Sequence, residues 1–325
     1  METYVDSSNI VRYICPEIPP GWNTLQNPQK GFTGDMKTYS YFTVDEVSSA
    51  AQKAVRRGKY IEAIQWVLEM FWTGPAVRTN IWNRCLVMSV EDIGPANPYV
   101  VLGIWKLYQK YPQDPLAIAT AAVLLAQSPK SRVNDWATHM FKHLQSNTLG
   151  TPLQMKKCLV DSLKRKDVNE TLKYATGLHF TDQPISGKYK KAIWYIWEAL
   201  DEVSNRHSYI QILIDIGMSP NWRWQDKSRL LYVHGIHLFC TNRLPNDVSY
   251  TIEPVQDLAS IVEMFKKREN IVGIPDYAID KHTIKGKSLG RGLHHFLKEG
   301  CILENEDCNW KELSQWYLYQ IFLES

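Results

Sequence analysis

The sequence predicts an all-α protein, and three observations carry that prediction. Apolar residues recur at three- and four-residue spacing over segment after segment, Pro and Gly punctuate the chain between those segments, and no run alternates polar and apolar residues as a half-buried strand would. Of 325 residues, 44% are hydrophobic and 22% charged, with only 17 Gly and 16 Pro, which excludes a collagen-like, low-complexity or wholly disordered chain. The 12 Trp and 17 Tyr call either for a thick helical core or for exposed stacking surfaces, because each ring brings a polar atom that needs a partner.

Residues 1–43 hold Pro16, Pro19, Pro20, Gly21, Pro28, Gly31 and Gly34 among aromatics and little periodicity, and read as an extended arm. From Thr43 the pattern turns helical. Thr43 and Glu46 have capping-box spacing, and Val47, Ala50, Ala51, Ala54 and Val55 follow on one face up to Arg56-Arg57-Gly58. Further helices are expected over 60–72, 77–90, 99–111, 116–127 and 131–144, separated by Gly74-Pro75, Gly94-Pro95, Asn97-Pro98, Pro112 to Pro115 and Ser128-Pro129. Ser146 to Pro152 reads as a linker. Helical signals then resume near 153–165, 168–176, 188–204, 207–216, 224–241, 254–268 and 310–323. The expected organisation is therefore an arm at 1–43, a helical domain at 44–146 and a second helical domain at 152–325, arranged as antiparallel helical hairpins.

Net charge is +3, from 37 Lys+Arg against 34 Asp+Glu, so any nucleic-acid footprint has to be local. Six Cys show no C-x-x-C and no regular spacing, which argues against a disulfide framework or a zinc site. His234 and His237 stand three apart on an apolar helix, but no third ligand accompanies them, so neither a metal nor another cofactor is expected. No 18-residue apolar stretch occurs, and the first residues lack a basic region followed by an apolar one. The expected location is intracellular, in nucleus or cytoplasm, with no membrane partner.

Three blocks carry a family resemblance: AAQKAVRRGKYIEAIQWVLEM, NRCLVMSVEDIGPANP and AIATAAVLLAQSPKSR, between Ser49 and Met140. Their most specific elements are Glu91-Asp92-Ile93-Gly94 with Ala96-Asn97-Pro98, and Ser128-Pro129-Lys130-Ser131. They resemble the carboxy-terminal helical region of the replication-associated recombination protein A and Werner-helicase-interacting-protein family of clamp-loader-like AAA+ ATPases. The resemblance implies a collar-like helical fold, an oligomer, and a setting in DNA replication or repair. The family's ATPase needs G-x-x-x-x-G-K-[ST]; here Gly286-Lys287-Ser288 is preceded at the decisive position by Lys281, so ATP hydrolysis is not expected. Glu91 and Asp92 are expected to play a structural part, paired with a cation such as Arg84 or Lys130 or capping the next helix. Ser128 to Ser131 is expected to start a helix.

The densest basic segment runs from Lys281 to Lys298, with five Lys/Arg, three His, three Gly and no acidic residue. Lys281, His282, Lys285, Lys287, Ser288, Arg291 and His294 are the candidate phosphate or nucleic-acid contacts, with DNA the expected ligand. Asp280, His282, Thr283 and Lys285 are also faintly similar to the D-x-H-V-x-R element of helix-hairpin-helix DNA glycosylases, which makes Asp280 the candidate acid if the chain is a DNA-modifying enzyme. Trp222, Arg223, Trp224, Lys227 and Arg229 interleave rings and cations in a way that suits either strand stacking or a helical core. The readings that emerge are a non-catalytic replication or repair factor that docks partners or oligomerises, a DNA-modifying enzyme, and a structural or packaging protein of a large DNA virus.

Overall fold

A computed structural model describes residues 3–5, 11–13, 36–142, 149–181, 191–219 and 228–324. Most of the expected arm, and the cluster Trp222, Arg223, Trp224 and Lys227, lie outside the described residues. The protein is all-α: apart from two three-residue antiparallel strands, β1 (Thr3–Val5) and β2 (Val11–Tyr13), every named element among the described residues is helical. Two compact units form, and each is described by itself.

The first unit combines 26–132 with 249–311. It contains α1 (Val44–Arg56), α2 (Tyr60–Thr73), α3 (Pro75–Met88), α4 (Tyr99–Lys110) and α5 (Pro115–Gln127), as the apolar spacing predicts. The N-terminus of α1 differs from the expected box: Thr43 Oγ1 donates to Glu46 Oε2 (2.7 Å) and caps no backbone N–H. The core is supplied by α1 residues Val47, Ala50, Ala54 and Val55, α2 residues Ile64, Trp66, Val67, Leu68 and Met70, and α5 residues Ile118, Ala121, Ala122 and Leu125. The Ala-rich faces of α1 and α5 let helix axes approach closely, while the large α2 side chains fill the space between them. After α3 the chain does not stop but widens into a π turn, Ser89–Ile93, followed by a 3₁₀ turn, Gly94–Ala96.

Residues 249–311 belong to this same unit, although linear reading groups them with 152–325. Their long-range seats explain the difference. Ile252 lies over Gly103 of α4, the Gln65 side-chain amide bonds both backbone groups of Val272 (2.9 and 3.0 Å), and the Tyr277 hydroxyl donates to Glu62 (2.6 Å). Within this segment lie α12 (Ala259–Lys266), and two short helices that periodicity could not reveal, α13 (Ile284–Ser288) and α14 (Leu293–His295), the latter running into a π turn at Phe296–Gly300.

The second unit, 1–25 with 133–248 and 312–325, contains α6 (Val133–Lys142), α7 (Pro152–Lys164), α8 (Val168–Phe180), α9 (Ile193–Val203), α10 (Ser208–Met218), α11 (Ser228–Cys240) and most of α15 (Cys308–Glu324). Thr151 makes a full capping box with Gln154 at the start of α7. At the centre of the unit α11 is buried nearly all round, including Leu231, Tyr232, Val233 and Ile236. Gly235 makes that possible, since even a methyl group there would stand 3.3–3.4 Å from Leu213 and Ile210 of α10. No described helix is long and apolar enough to cross a membrane.

Candidate nucleic-acid interface and the charged clasp beneath it

The sequence-predicted site residues fall into two sets, one exposed and one buried, both in the first unit. The buried set starts from the polar face of α1. Helical spacing aligns Ser49, Gln52, Lys53 and Arg56, and these side chains reach three other segments. Arg56 uses its whole fork: Nε donates to Asp92 Oδ1 (2.7 Å), Nη2 to Glu91 Oε1 (3.0 Å) and Nη1 to the Gly300 carbonyl (2.7 Å). Gln52 donates to both acids at 2.9 Å and accepts from Arg84 at 3.2 Å. Arg132 stands 3.6 Å from Asp92. The partners of Glu91 and Asp92 are thus Arg56 and Arg132, with Arg84 acting through Gln52.

Lys130 does not pair with those acids. It is fully buried, and its ammonium donates to the carbonyls of Ala126 (2.7 Å) and Ser128. A cation at the carbonyl end of α5 satisfies acceptors that the helix leaves open and complements its dipole. Burial lowers the Lys130 ammonium to about 8, against the nearby charges of Asp92 and Glu304. Nor does Ser128 to Ser131 begin a helix, since α6 starts at Val133. Instead the backbone of Lys130 forms a bridge, accepting from Asp307 and donating to Asn305, while the Ser131 N–H donates to the Asp92 carbonyl. Both family-like motifs therefore serve as clasps, joining the π turn and the end of α5 to residues far away in sequence.

Asp280 closes the other end of the same cluster. Its carboxylate is fully buried, ion-paired with Lys53 (2.7 Å) and accepting from the His282 backbone N–H (2.9 Å) and Nδ1 (3.1 Å). Burial by itself would raise this carboxyl, but the His282 hydrogen bonds and the Lys53 charge outweigh it and hold Asp280 well below the usual carboxylate range. Lys53 is lowered by burial to about 8, opposed chiefly by Asp280, and it also donates to Ser49 Oγ (2.6 Å). Over the cluster lies Phe296, with Lys281 at 4.9 Å, Arg132 at 5.6 Å, Arg56 at 5.7 Å and Lys53 at 6.0 Å from its ring centre, and the His282 ring edge-on at 4.8 Å. These cations gain from the ring face while the pairs below are shielded from water.

The exposed set lies on the same segment, Lys281–Lys298, facing outward. Lys285, Lys287, Ser288, His294 and Lys298 are exposed. The other candidates are held by the protein itself: Lys281 lies over Phe296, His282 bonds Asp280, and Arg291 donates to the carbonyls of Asp276 (3.0 Å) and Ile279 (2.8 Å) and to the Asp276 carboxylate (2.7 Å). Thr283 caps α13 by accepting from the Gly286 N–H (2.9 Å). Gly286 is required by space, since a Cβ there would overlap the Asp280 carbonyl. The segment is a rigid basic platform, pinned from beneath and charged above.

A second buried constellation, in the second unit, surrounds the two histidines that the sequence singles out, and its other members were not foreseen. Asn134 Nδ2 and His234 Nδ1 are 3.2 Å apart, His237 Nδ1 and Asn134 Oδ1 2.7 Å, Tyr209 Oη and His234 Nε2 2.7 Å, and His237 Nε2 and the Tyr317 hydroxyl 3.4 Å. The amide fixes both imidazole tautomers, with His234 accepting and His237 donating at Nδ1. Burial pushes both rings down to about 3, so they are neutral at physiological pH. The i, i+3 spacing marks the two histidines in sequence; nothing there marks Asn134. Among the described residues no group of three or more His, Cys, Asp or Glu could hold a metal ion.

No curated protein and no solved structure matches the chain. A family model does match, over residues 62–205, and its description is MgsA AAA+ ATPase C terminal. The matched span takes in the Glu91-Asp92-Ile93-Gly94 turn and the Lys130 clasp, the two elements on which the sequence resemblance rests. Residues 62–205 of this all-α chain are thus similar to the C-terminal helical region of the MgsA-type, replication- and repair-associated AAA+ proteins.

Proposed function

We propose that this chain is a non-catalytic factor of DNA replication or repair, a helical body that docks protein partners or its own copies and contacts DNA phosphates through the segment Lys281–Lys298. One observation carries the reading: exposed Lys285, Lys287, His294 and Lys298 share an acid-free stretch whose backbone is anchored by Arg291, Thr283 and Gly286. Flexible surface lysines lose entropy on meeting a phosphate, whereas a pinned backbone loses little more, so a rigid basic platform favours binding. The family similarity supports the replication and repair setting and, by its implied collar, the oligomer. The Asp280 carboxylate, buried between Lys53 and His282, supports a positioning role under the platform rather than contact with a nucleotide.

The test is the salt dependence of duplex binding by the full chain, read by fluorescence anisotropy. Each phosphate neutralised contributes about one unit to the slope of log affinity against log salt, so replacing both Lys285 and Lys287 with Ala is expected to lower the slope by about two. An unchanged slope and affinity refute the assignment of phosphate contact to this segment.

A further inference from the structure

The basic platform carries an unexpected second property. Six large hydrophobic side chains among the described residues are at least half exposed, and three of them, Ile284 (58%), Leu289 (56%) and Leu293 (50%), fall within this one stretch. Scattered single exposed apolar side chains are ordinary; three within ten residues, interleaved with exposed Lys285 and Lys287, are a patterned stretch.

Backbone geometry explains how Leu289 is presented. The end of α13 is a Schellman turn: the Gly290 N–H donates to the Lys287 carbonyl (3.0 Å), the Arg291 N–H to the Gly286 carbonyl (2.9 Å), and Gly290 takes the left-handed conformation with φ +68°. Such turns commonly bury an apolar contact between the residue after the glycine and one in the last helical turn. Here those positions are Arg291 and Gly286, which offer no apolar partner, and Arg291 is turned inward to Asp276 and Ile279. Leu289 stands out at the tip of a turn whose base is fixed from two sides.

An aliphatic tip preceded by two exposed cations, Lys285 and Lys287, matches one mode of nucleic-acid contact in particular. Proteins that bind the minor groove neutralise the flanking phosphates with Lys and Arg and insert an apolar wedge between base steps, partly unstacking them. Single-strand binders depend on aromatic platforms, and this tip has none. We infer that Leu289 is a wedge that enters a deformable step of duplex DNA, with Lys285 and Lys287 on the adjoining phosphates. The inference rests on the DNA reading above and extends it to a ligand class, duplex that bends or opens easily, such as one with a central TpA step.

The probe is a short duplex with 2-aminopurine beside a central TpA step and a dye pair at its ends, titrated with the full chain at low salt. Wild-type protein is expected to raise the 2-aminopurine fluorescence and shorten the end-to-end distance. Leu289→Ala is expected to lose both signals and to bind about tenfold more weakly, since one aliphatic burial is lost, with the salt slope unchanged because no charge is removed. Leu289→Met is expected to keep the signals. The side chain is exposed, so the variants retain the wild-type melting temperature. Binding by the wild type with no fluorescence rise, or a rise that survives in Leu289→Ala, overturns the wedge and leaves the phosphate reading standing. Absence of duplex binding overturns both, as does capture by phosphatidylserine vesicles with duplex left unbound.

Discussion

Acid should destabilise the second unit well above the range in which carboxylates titrate, and the cause is the pair His234 and His237. Both rings are fully buried and neutral, with folded-state values near 3 against an ordinary 6.5. Between those values the unfolded chain binds protons that the folded one excludes, so stability rises with pH by about 1.4 kcal/mol per unit for each ring. From pH 8 down to pH 5 the loss is about 2 kcal/mol per ring, or about 4 kcal/mol together, a large share of a typical domain's stability. Burial gives the reason for both rings, and on His234 a second proton would also point Nδ1 at the Asn134 amide N–H. Hydrogen exchange of amides in α6 and α11 at pH 8 and pH 5, together with urea unfolding followed by tryptophan fluorescence, measures the effect. His234→Gln and His237→Gln should each remove about half of it, although His207 and His282, also lowered by burial, leave a residual slope. Equal opening free energies in α11 at the two pH values, or an imidazole resonance of either histidine titrating near 6.5 in the folded protein, would refute the reasoning.

Three further outcomes follow from the first unit. Arg56→Met should cost about 3–5 kcal/mol in urea unfolding, because it leaves Glu91 and buried Asp92 to Gln52 and the more distant Arg132 and deprives the Gly300 carbonyl of its donor. Gly286→Ala should cost more than about 3 kcal/mol by the same assay, or prevent the 280–291 turn from forming, as the new methyl group would overlap the Asp280 carbonyl; near-wild-type stability would contradict the packing described. Asp280→Asn should lower the melting temperature by leaving Lys53 buried without its counter-charge, yet keep the salt slope of DNA binding, since the carboxylate does not reach the exposed face. Abolition of a DNA-cleaving or base-releasing activity by Asp280→Asn at unchanged stability would restore the enzyme reading.

Helices were legible because the signals that start, stop and face them are local. Val47, Ala50, Ala54 and Val55 mark the buried side of α1, and Pro115 and Ser128 bracket α5 within one residue of the observed ends. The basic segment was equally legible, since composition needs no tertiary context. What sequence concealed was partnership across distance. Arg56 meets Asp92 and Gly300, Lys53 meets Asp280 more than two hundred residues away, and Asn134 bridges two histidines a hundred residues on. Nothing in local spacing selects Arg56 over Arg84 or Lys130 as the partner of Asp92; the choice follows from how α1 packs against the π turn. For the same reason the inward role of Arg291 and Lys281 could not be told from the outward role of Lys285 and Lys287. All four are cations in a Gly-rich stretch, and only the fold turns two of them to the protein.

Ultraviolet cross-linking of the full chain to a bromodeoxyuridine-substituted duplex, mapped by mass spectrometry, tests most directly whether this outward face meets DNA. Cross-links are predicted on peptides spanning 284–298, with Leu289 and its neighbours prominent. A bound duplex that cross-links only elsewhere, for instance on α7 with its exposed Lys157 and Lys164, would contradict the account.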